Sequence, residues 1–199
     1  LGVLFGVVGR KREAVEANQT AVRLIPQDAE AHNNLGLALV GLGRLDDAEV
    51  SYGQAIILKP DYAEAHNNLG SLLQELGRLN EAEASYSQAT ALLPDYAEAH
   101  YNLGVTLQEL GRLEIAEASY NHAIALKPDL AEAYSNLGLT LQELGRLDEA
   151  EARYRQAIAL KPDYAEAHNN LGLSLHGLGS LEEAEASYSQ AIALKPNYA

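Results

Sequence analysis

Apolar positions along this chain fall into two alternating helical registers. In residues 63–96, Ala65, Leu69, Leu72, Leu73 and Leu76 lie at i, i+4, i+7, i+8 and i+11, the stripe of one helical face. A second run follows, Leu79, Ala82, Tyr86, Ala89 and Leu93. We name the first helix A and the second helix B. Gly77 stands between them, where glycine accepts the left-handed conformation that ends a helix. Pro94 stops the second, because it lacks an amide proton and its ring clashes with the preceding turn. Asp61, just after Pro60 and ahead of Glu64, reads as an N-cap with a capping box. The pattern predicts a helical hairpin of two helices of about 13 residues, each about 20 Å long.

The hairpin recurs at a fixed interval. Leu35-Gly36, Leu69-Gly70, Leu103-Gly104, Leu137-Gly138 and Leu171-Gly172 are 34 residues apart, and Leu1-Gly2 is in step with them. All the prolines keep the interval: Pro26, Pro60, Pro94, Pro128, Pro162 and Pro196. So do the turn glycines Gly43, Gly111, Gly145 and Gly179, and the pairs Asp95/Glu98, Asp129/Glu132 and Asp163/Glu166. Such a period means stacked copies of one supersecondary unit. The organisation expected is a single array with a truncated copy at 1–28 and full copies at 29–62, 63–96, 97–130, 131–164 and 165–198. Gly70, Ala82 and Ala89 mark where helices come close, and Tyr52, Tyr86, Tyr120, Tyr154 and Tyr188 are their large partners. The first copy departs most, with Lys11, Asn18 and Arg23 at positions that are leucine, tyrosine and mostly alanine elsewhere. Leu1–Val8 reads as the remainder of a first helix A.

Charge narrows the partners. Lys and Arg number 14 against 28 Asp and Glu, a net charge of −14, which opposes binding to nucleic acid and to anionic membranes. No cysteine is present, so disulfides, thiolate metal ligands and cysteine nucleophiles are excluded, while the redox compartment stays open. The apolar opening is too short to span a membrane and carries its positive charge on the wrong side for a signal peptide. The absence of methionine is what a piece of a longer chain or a processed product would show.

Leu-Gly in helix A, Ala, an aromatic and Ala in helix B, and a closing Pro resemble the tetratricopeptide repeat (TPR) family over the whole chain. One variation is His32, His66, His100, Tyr134 or His168 where a bulky aromatic is usual. The wording Ala-Glu-Ala-His-Asn-Asn-Leu-Gly is most similar to the repeat arms of O-linked N-acetylglucosamine transferases and of bacterial proteins that share them. The resemblance implies an all-α fold, a right-handed superhelix of antiparallel helical hairpins, with the A helices lining its concave side.

With the apolar stripe of helix A given to packing, the opposite stripe is left to bind: Glu64, Asn67, Asn68, Ser71, Gln74 and Glu75. Its most regular members are Asn34, Asn68, Asn102, Asn136 and Asn170. Asparagine is a mediocre helix former, so propensity does not explain it in mid-helix. An amide both donates and accepts, which suits a peptide backbone, and the resemblance implies a ladder of this kind. The competing reading is that these amides bond within the array or to water. The candidate peptide-binding set is completed by Tyr101 in the position of Asn67, and by Gln108, Gln142, Glu109 and Glu143, the counterparts of Gln74 and Glu75. Glu30, Glu98, Glu132 and Glu166 add charge. Lysines and arginines sit at turns instead, Arg44, Arg78, Arg112 and Arg146 among them. An acidic groove preferring neutral-polar or basic segments is expected.

Other chemistry finds little footing. His32, His66 and His100 lie on successive copies, too far apart to share a metal, and read as core residues. No metal, cofactor, phosphate loop or nucleophile–base set is indicated, and a catalytic site is asymmetric whereas these polar residues repeat. Asn18-Gln19-Thr20 is a candidate glycosylation triplet inside a predicted helix B. The sequence therefore reads as a non-catalytic protein-binding scaffold, either free or as the recruiting arm of a larger glycosyltransferase. The alternative is a structural protein assembling end to end, since the final copy carries no polar helix to cover its helix B.

Overall fold

A computed structural model describes residues 2–196, with side chains from Arg10 onward. Leu1, and the residues 197–199 that close the last predicted copy, lie outside the described residues. Among these there are eleven helices and no strand. The chain divides into two compact units, residues 1–94 and 95–199.

The first unit holds α1 (Gly2–Leu24) and the hairpins α2 (Ala29–Val40)/α3 (Leu45–Leu58) and α4 (Ala63–Glu75)/α5 (Leu79–Leu92). The second holds α6 (Ala97–Glu109)/α7 (Leu113–Leu126), α8 (Ala131–Glu143)/α9 (Leu147–Leu160) and α10 (Ala165–Gly177)/α11 (Leu181–Leu194). Even-numbered helices from α2 are the predicted A helices, and odd-numbered ones from α3 the predicted B helices. Within each unit the A helices stand side by side: α2 touches α4, α6 touches α8, and α8 touches α10.

The turn within each hairpin follows from its glycine. Gly77 has φ of 72°, and Gly43, Gly111, Gly145 and Gly179 share that conformation. Arg78 N donates to Leu73 O at 2.8 Å and Gly77 N to Gln74 O at 2.9 Å. These two bonds satisfy the last carbonyls of α4 in the Schellman arrangement. Behind the turn the two helices close on a ring. Tyr52, Tyr86, Tyr120 and Tyr154 are at most 1% exposed, each lying over the glycine of its own helix A. Tyr188 in α11 is only partly buried. The core of the first unit is Val15, Leu39, Ala48, Tyr52 and Leu72. That of the second runs through Leu107, Tyr120, Leu137, Leu141, Tyr154, Leu171 and Leu175.

Two sequence expectations are corrected. The capping boxes are not made: the N-caps of α4, α6, α8 and α10 are Tyr62, Tyr96, Leu130 and Tyr164, with no side-chain cap bond. Each helix starts three residues after its proline, so Asp61 and its counterparts sit one residue too early. In the first hairpin the aspartate is one residue later, and Asp28 does cap α2, its Oδ1 accepting from Glu30 N at 3.0 Å and Ala31 N at 3.3 Å. The second correction is α1, a single helix that runs through Gly9 instead of a hairpin. Leu45, Leu79 and Leu113, each just after the turn, are partly buried. At that position α1 has Lys11, which is exposed, so no apolar anchor holds a folded-back partner.

Candidate functional site, the open face of the A helices

The outward stripe of helix A is centred on Glu64, Ser71 and Glu75, all exposed, with Asn68 half-buried at its edge. Asn67 is not on it. At 100° per residue it turns toward the packed side, where it is 2% exposed. Its assignment to a peptide-binding set is therefore corrected. The middle of the stripe is a row to which Ser71 belongs, with Leu37 in the first unit and Val105, Leu139 and Leu173 in the second as apolar members absent from the candidate set. Leu37 is 48% and Leu173 47% exposed. The signal was present, since each follows the first-turn glutamate of its helix by two helical turns.

Asn68 and Asn136 bridge neighbouring A helices of their own units. In the first unit Asn68 Nδ2 donates to Asn33 Oδ1 at 2.9 Å, and Asn34 is exposed. In the second, Asn136 Nδ2 donates to the Tyr101 hydroxyl at 3.1 Å, and Asn169 Nδ2 donates to Asn170 Oδ1 at 3.3 Å. Asn102 is half-buried in α6. The glutamines face the core tyrosines: Tyr86, Tyr120 and Tyr154 hydroxyls donate to Gln74, Gln108 and Gln142 Oε1 at 3.2, 2.9 and 3.3 Å. Ser174 Oγ also donates to Gln142 Oε1, at 3.1 Å. Much of the polar stripe is thus bonded within its own unit.

The carboxylates stay outermost. Glu75, Glu109 and Glu143 are exposed, the last accepting from Gln108 Nε2 at 3.3 Å. In the first unit an open hollow of about 620 Å³ at the foot of the face is lined by Asp28, Glu30, Lys59, Tyr62 and Glu64. Burial first, then the charges of Glu30, Glu64 and Asp28, raise the Tyr62 phenol above its ordinary value. Tyr101 and Tyr164 are raised too, by burial and then by surrounding groups that include Glu132 and Glu166. Glu132 is lowered by its own backbone N–H and by Lys161, whose Nζ is 3.1 Å away.

The turn cations are tied down. Arg78 bonds Glu81 of its own hairpin and reaches Glu49 in α3 at 2.7 Å; Arg146 does the same with Glu149 and with Glu117 in α7 at 2.6 Å. His32, His66 and His168 are half-buried turn ties rather than core residues. Nε2–H of His32, His66 and His168 donates to the carbonyl of Pro26, Pro60 and Pro162 at 3.1, 3.1 and 3.0 Å. No group of three or more His, Asp or Glu fit to hold a metal occurs among the described residues. At the glycosylation triplet, Asn18 Nδ2 donates to Ala14 O at 2.9 Å and the Thr20 hydroxyl to Glu16 O at 2.8 Å. Both groups turn back onto regular helix, a poor presentation for a modifying enzyme.

Hairpins joined through a glycine–tyrosine contact, each leaving one side of its A helix bare, define an all-α repeat scaffold. Profiles of the tetratricopeptide repeat match residues 39–77, 73–111, 95–163 and 135–199, and the chain belongs to the tetratricopeptide repeat family. No curated protein sequence matches it. Among solved structures it is similar to MamA, at 28% identity over 81% of this chain and 95% of that one, with a TM-score of 0.78. It is also similar to YrrB, described as a TPR protein with an unusual peptide-binding site, at 25% identity over 93% and 95% with a TM-score of 0.81. PilF of Pseudomonas aeruginosa shares the fold, at 23% identity over 83% and 75% and a TM-score of 0.74.

Proposed function

We propose that the chain is a non-catalytic scaffold that holds a neutral-polar or basic segment of another protein on the open face of its A helices. The observation that carries this reading is the make-up of that face. Helices α2, α4, α6, α8 and α10 contain no lysine or arginine, while Glu64, Glu75, Glu109 and Glu143 are exposed on them. Carboxylates gathered on one face concentrate a cationic partner and speed its arrival. The asparagines add backbone recognition: an amide has two donors and an acceptor, and the bonds that Asn68 and Asn136 make within their units each use one donor. The likeness to YrrB supports a peptide as the ligand class. The similarity to transferase arms adds one form of this reading, the recruiting arm of a larger glycosyltransferase.

A peptide array probed with the whole chain tests it. Ligands are expected to be poor in acidic residues and to bind less tightly as salt rises. Joint substitution of Asn68, Asn102 and Asn136 by alanine, or of Glu75, Glu109 and Glu143 by glutamine, is expected to weaken them. Unchanged affinity in both variants removes the face from consideration.

One observation favours the second reading, end-to-end self-association. Glu185 and Ile192 of α11 are exposed and Tyr188 is partly so, at positions where Glu117 takes Arg146 and Tyr120 is fully buried. Sedimentation over a range of concentrations separates the two readings, because a scaffold keeps one mass and an assembling protein does not.

A further inference from the structure

Charge and amides leave one row of the second unit's A face unexplained. Val105, Leu139 and Leu173 occupy the middle of the outward stripes of α6, α8 and α10. Leu173 is 47% exposed, Leu139 is half-buried, and Val105 is half-buried with part of its side chain packed against the core of the unit. Glu109 and Glu143 stand exposed one helical turn further on. Because α6 touches α8 and α8 touches α10, the three apolar side chains form one row that steps at the spacing of packed helices, about 8–10 Å.

That step restricts the backbone able to follow it. A β-strand rising about 3.3 Å per residue places three residues between rungs, and side chains i and i+3 of a strand point to opposite faces. An α-helix keeps i and i+7 roughly in line about 10.5 Å apart, but its backbone groups are bonded internally, which gives the asparagine row nothing to pair with. Polyproline II has three residues per turn and rises about 3.1 Å per residue, so i and i+3 share a side about 9.3 Å apart. It makes no internal hydrogen bonds, so its carbonyls and amides remain open to Asn136 and its counterparts. This conformation alone satisfies both rows.

We propose that the A face of residues 95–199 takes a segment in polyproline II conformation, with an apolar side chain at every third position and lysine or arginine between. The apolar side chains seat on Val105, Leu139 and Leu173, and the cations lie against Glu109 and Glu143. The proposal rests on the docking reading above and names its ligand class.

Two labelled synthetic peptides of identical composition test it by fluorescence anisotropy against the whole chain. One repeats Leu-Pro-Lys; the other holds the same residues in an order with no two leucines three apart. The repeating peptide is expected to bind about tenfold tighter, and the double variant Leu139→Ser/Leu173→Ser to lose that preference. The fold already makes this substitution, since Ser71 occupies the same position in α4, and an unchanged helical circular dichroism spectrum checks it. Equal binding of both peptides, insensitive to the serine variant, overturns the register while the docking reading stands. If neither peptide binds at low salt, the docking of cationic segments falls as well.

Discussion

A β-carbon placed on Gly138 meets the Tyr154 ring at 2.7 Å, well inside the about 3.5–4.0 Å at which carbons pack. The absent methyl lets the ring lie directly on the backbone of α8. Alanine at Gly138 gains up to about 1 kcal/mol of helix propensity but overpacks a joint with no slack, at about 1–3 kcal/mol. Net destabilisation of about 1–2 kcal/mol is expected in urea unfolding. Gly172 stands against Tyr188 at 2.6 Å, yet that ring is only partly buried and has room to swing away. Gly172→Ala is therefore expected to cost less than Gly138→Ala.

The same rings make the fold sensitive to alkali. Burial pushes the Tyr52 phenol up to about 12, and burial followed by Glu143 and Glu166 raises Tyr154 as well. The folded state holds these protons through a range in which an unfolded tyrosine, titrating near 10, has given them up. Stability from this source is complete below about pH 10 and is lost as pH rises through about 12. A pH titration is expected to show the tyrosinate absorbance of the buried rings appearing together with loss of helix in that window, and full ionisation of the tyrosines with the helices intact would contradict it.

The hairpins, their turn glycines and the glycine–tyrosine joints were legible in the sequence because each depends on local quantities, the size of a side chain or the φ that Gly77 can reach, repeated until the period showed. What needed the structure was register and reach. Asn67 and Asn68 differ by one residue and hence by 100° around the helix, and only the placement of neighbouring helices decides which of them is sealed in. The His66 tie to Pro60 joins a side chain to a carbonyl, and the Arg78–Glu49 pair spans 29 residues between hairpins. Neither leaves a mark in hydrophobic periodicity.

Arg146 links three helical elements, and its role is open to a salt test. It bonds Glu149 within its hairpin and Glu117 in α7, and both bonds hold its guanidinium proton more firmly than usual. The side chain remains 39% exposed, so solvent screens the pair. Arg146→Met is expected to destabilise the chain less than Gly138→Ala does, with a difference from wild type that shrinks at high salt. Charge exchange between positions 146 and 117 is expected to recover part of the loss.

The tie from His66 Nε2–H to the carbonyl of Pro60 fixes the turn that leads into α4. Removing the donor leaves a turn carbonyl without its partner. His66→Ala is expected to cost about 0.5–1.5 kcal/mol, the usual worth of one intramolecular hydrogen bond. Tyr134 fills the same position in α8 and is likewise half-buried, so His66→Tyr is expected to be better tolerated. Unfolding midpoints for the two variants check the order.

Asp28 and Asp61 both follow a proline ahead of an A helix, yet they are expected to behave differently. Asp28 Oδ1 accepts the Glu30 and Ala31 amides, satisfying donors that the first turn of α2 cannot pair internally. Asp61 lies one residue outside the N-cap position, which Tyr62 holds without a side-chain bond. Asp28→Ala is therefore expected to lose about 1 kcal/mol, and Asp61→Ala to stay within about 0.5 kcal/mol of wild type, as exposed sites do. Moving the carboxylate in by one residue reverses the comparison: Tyr62→Asp supplies a cap to α4 but removes a half-buried ring. Hydrogen exchange at Glu64 and Ala65 separates the two effects, since a new cap slows exchange at those amides even where the lost ring lowers overall stability.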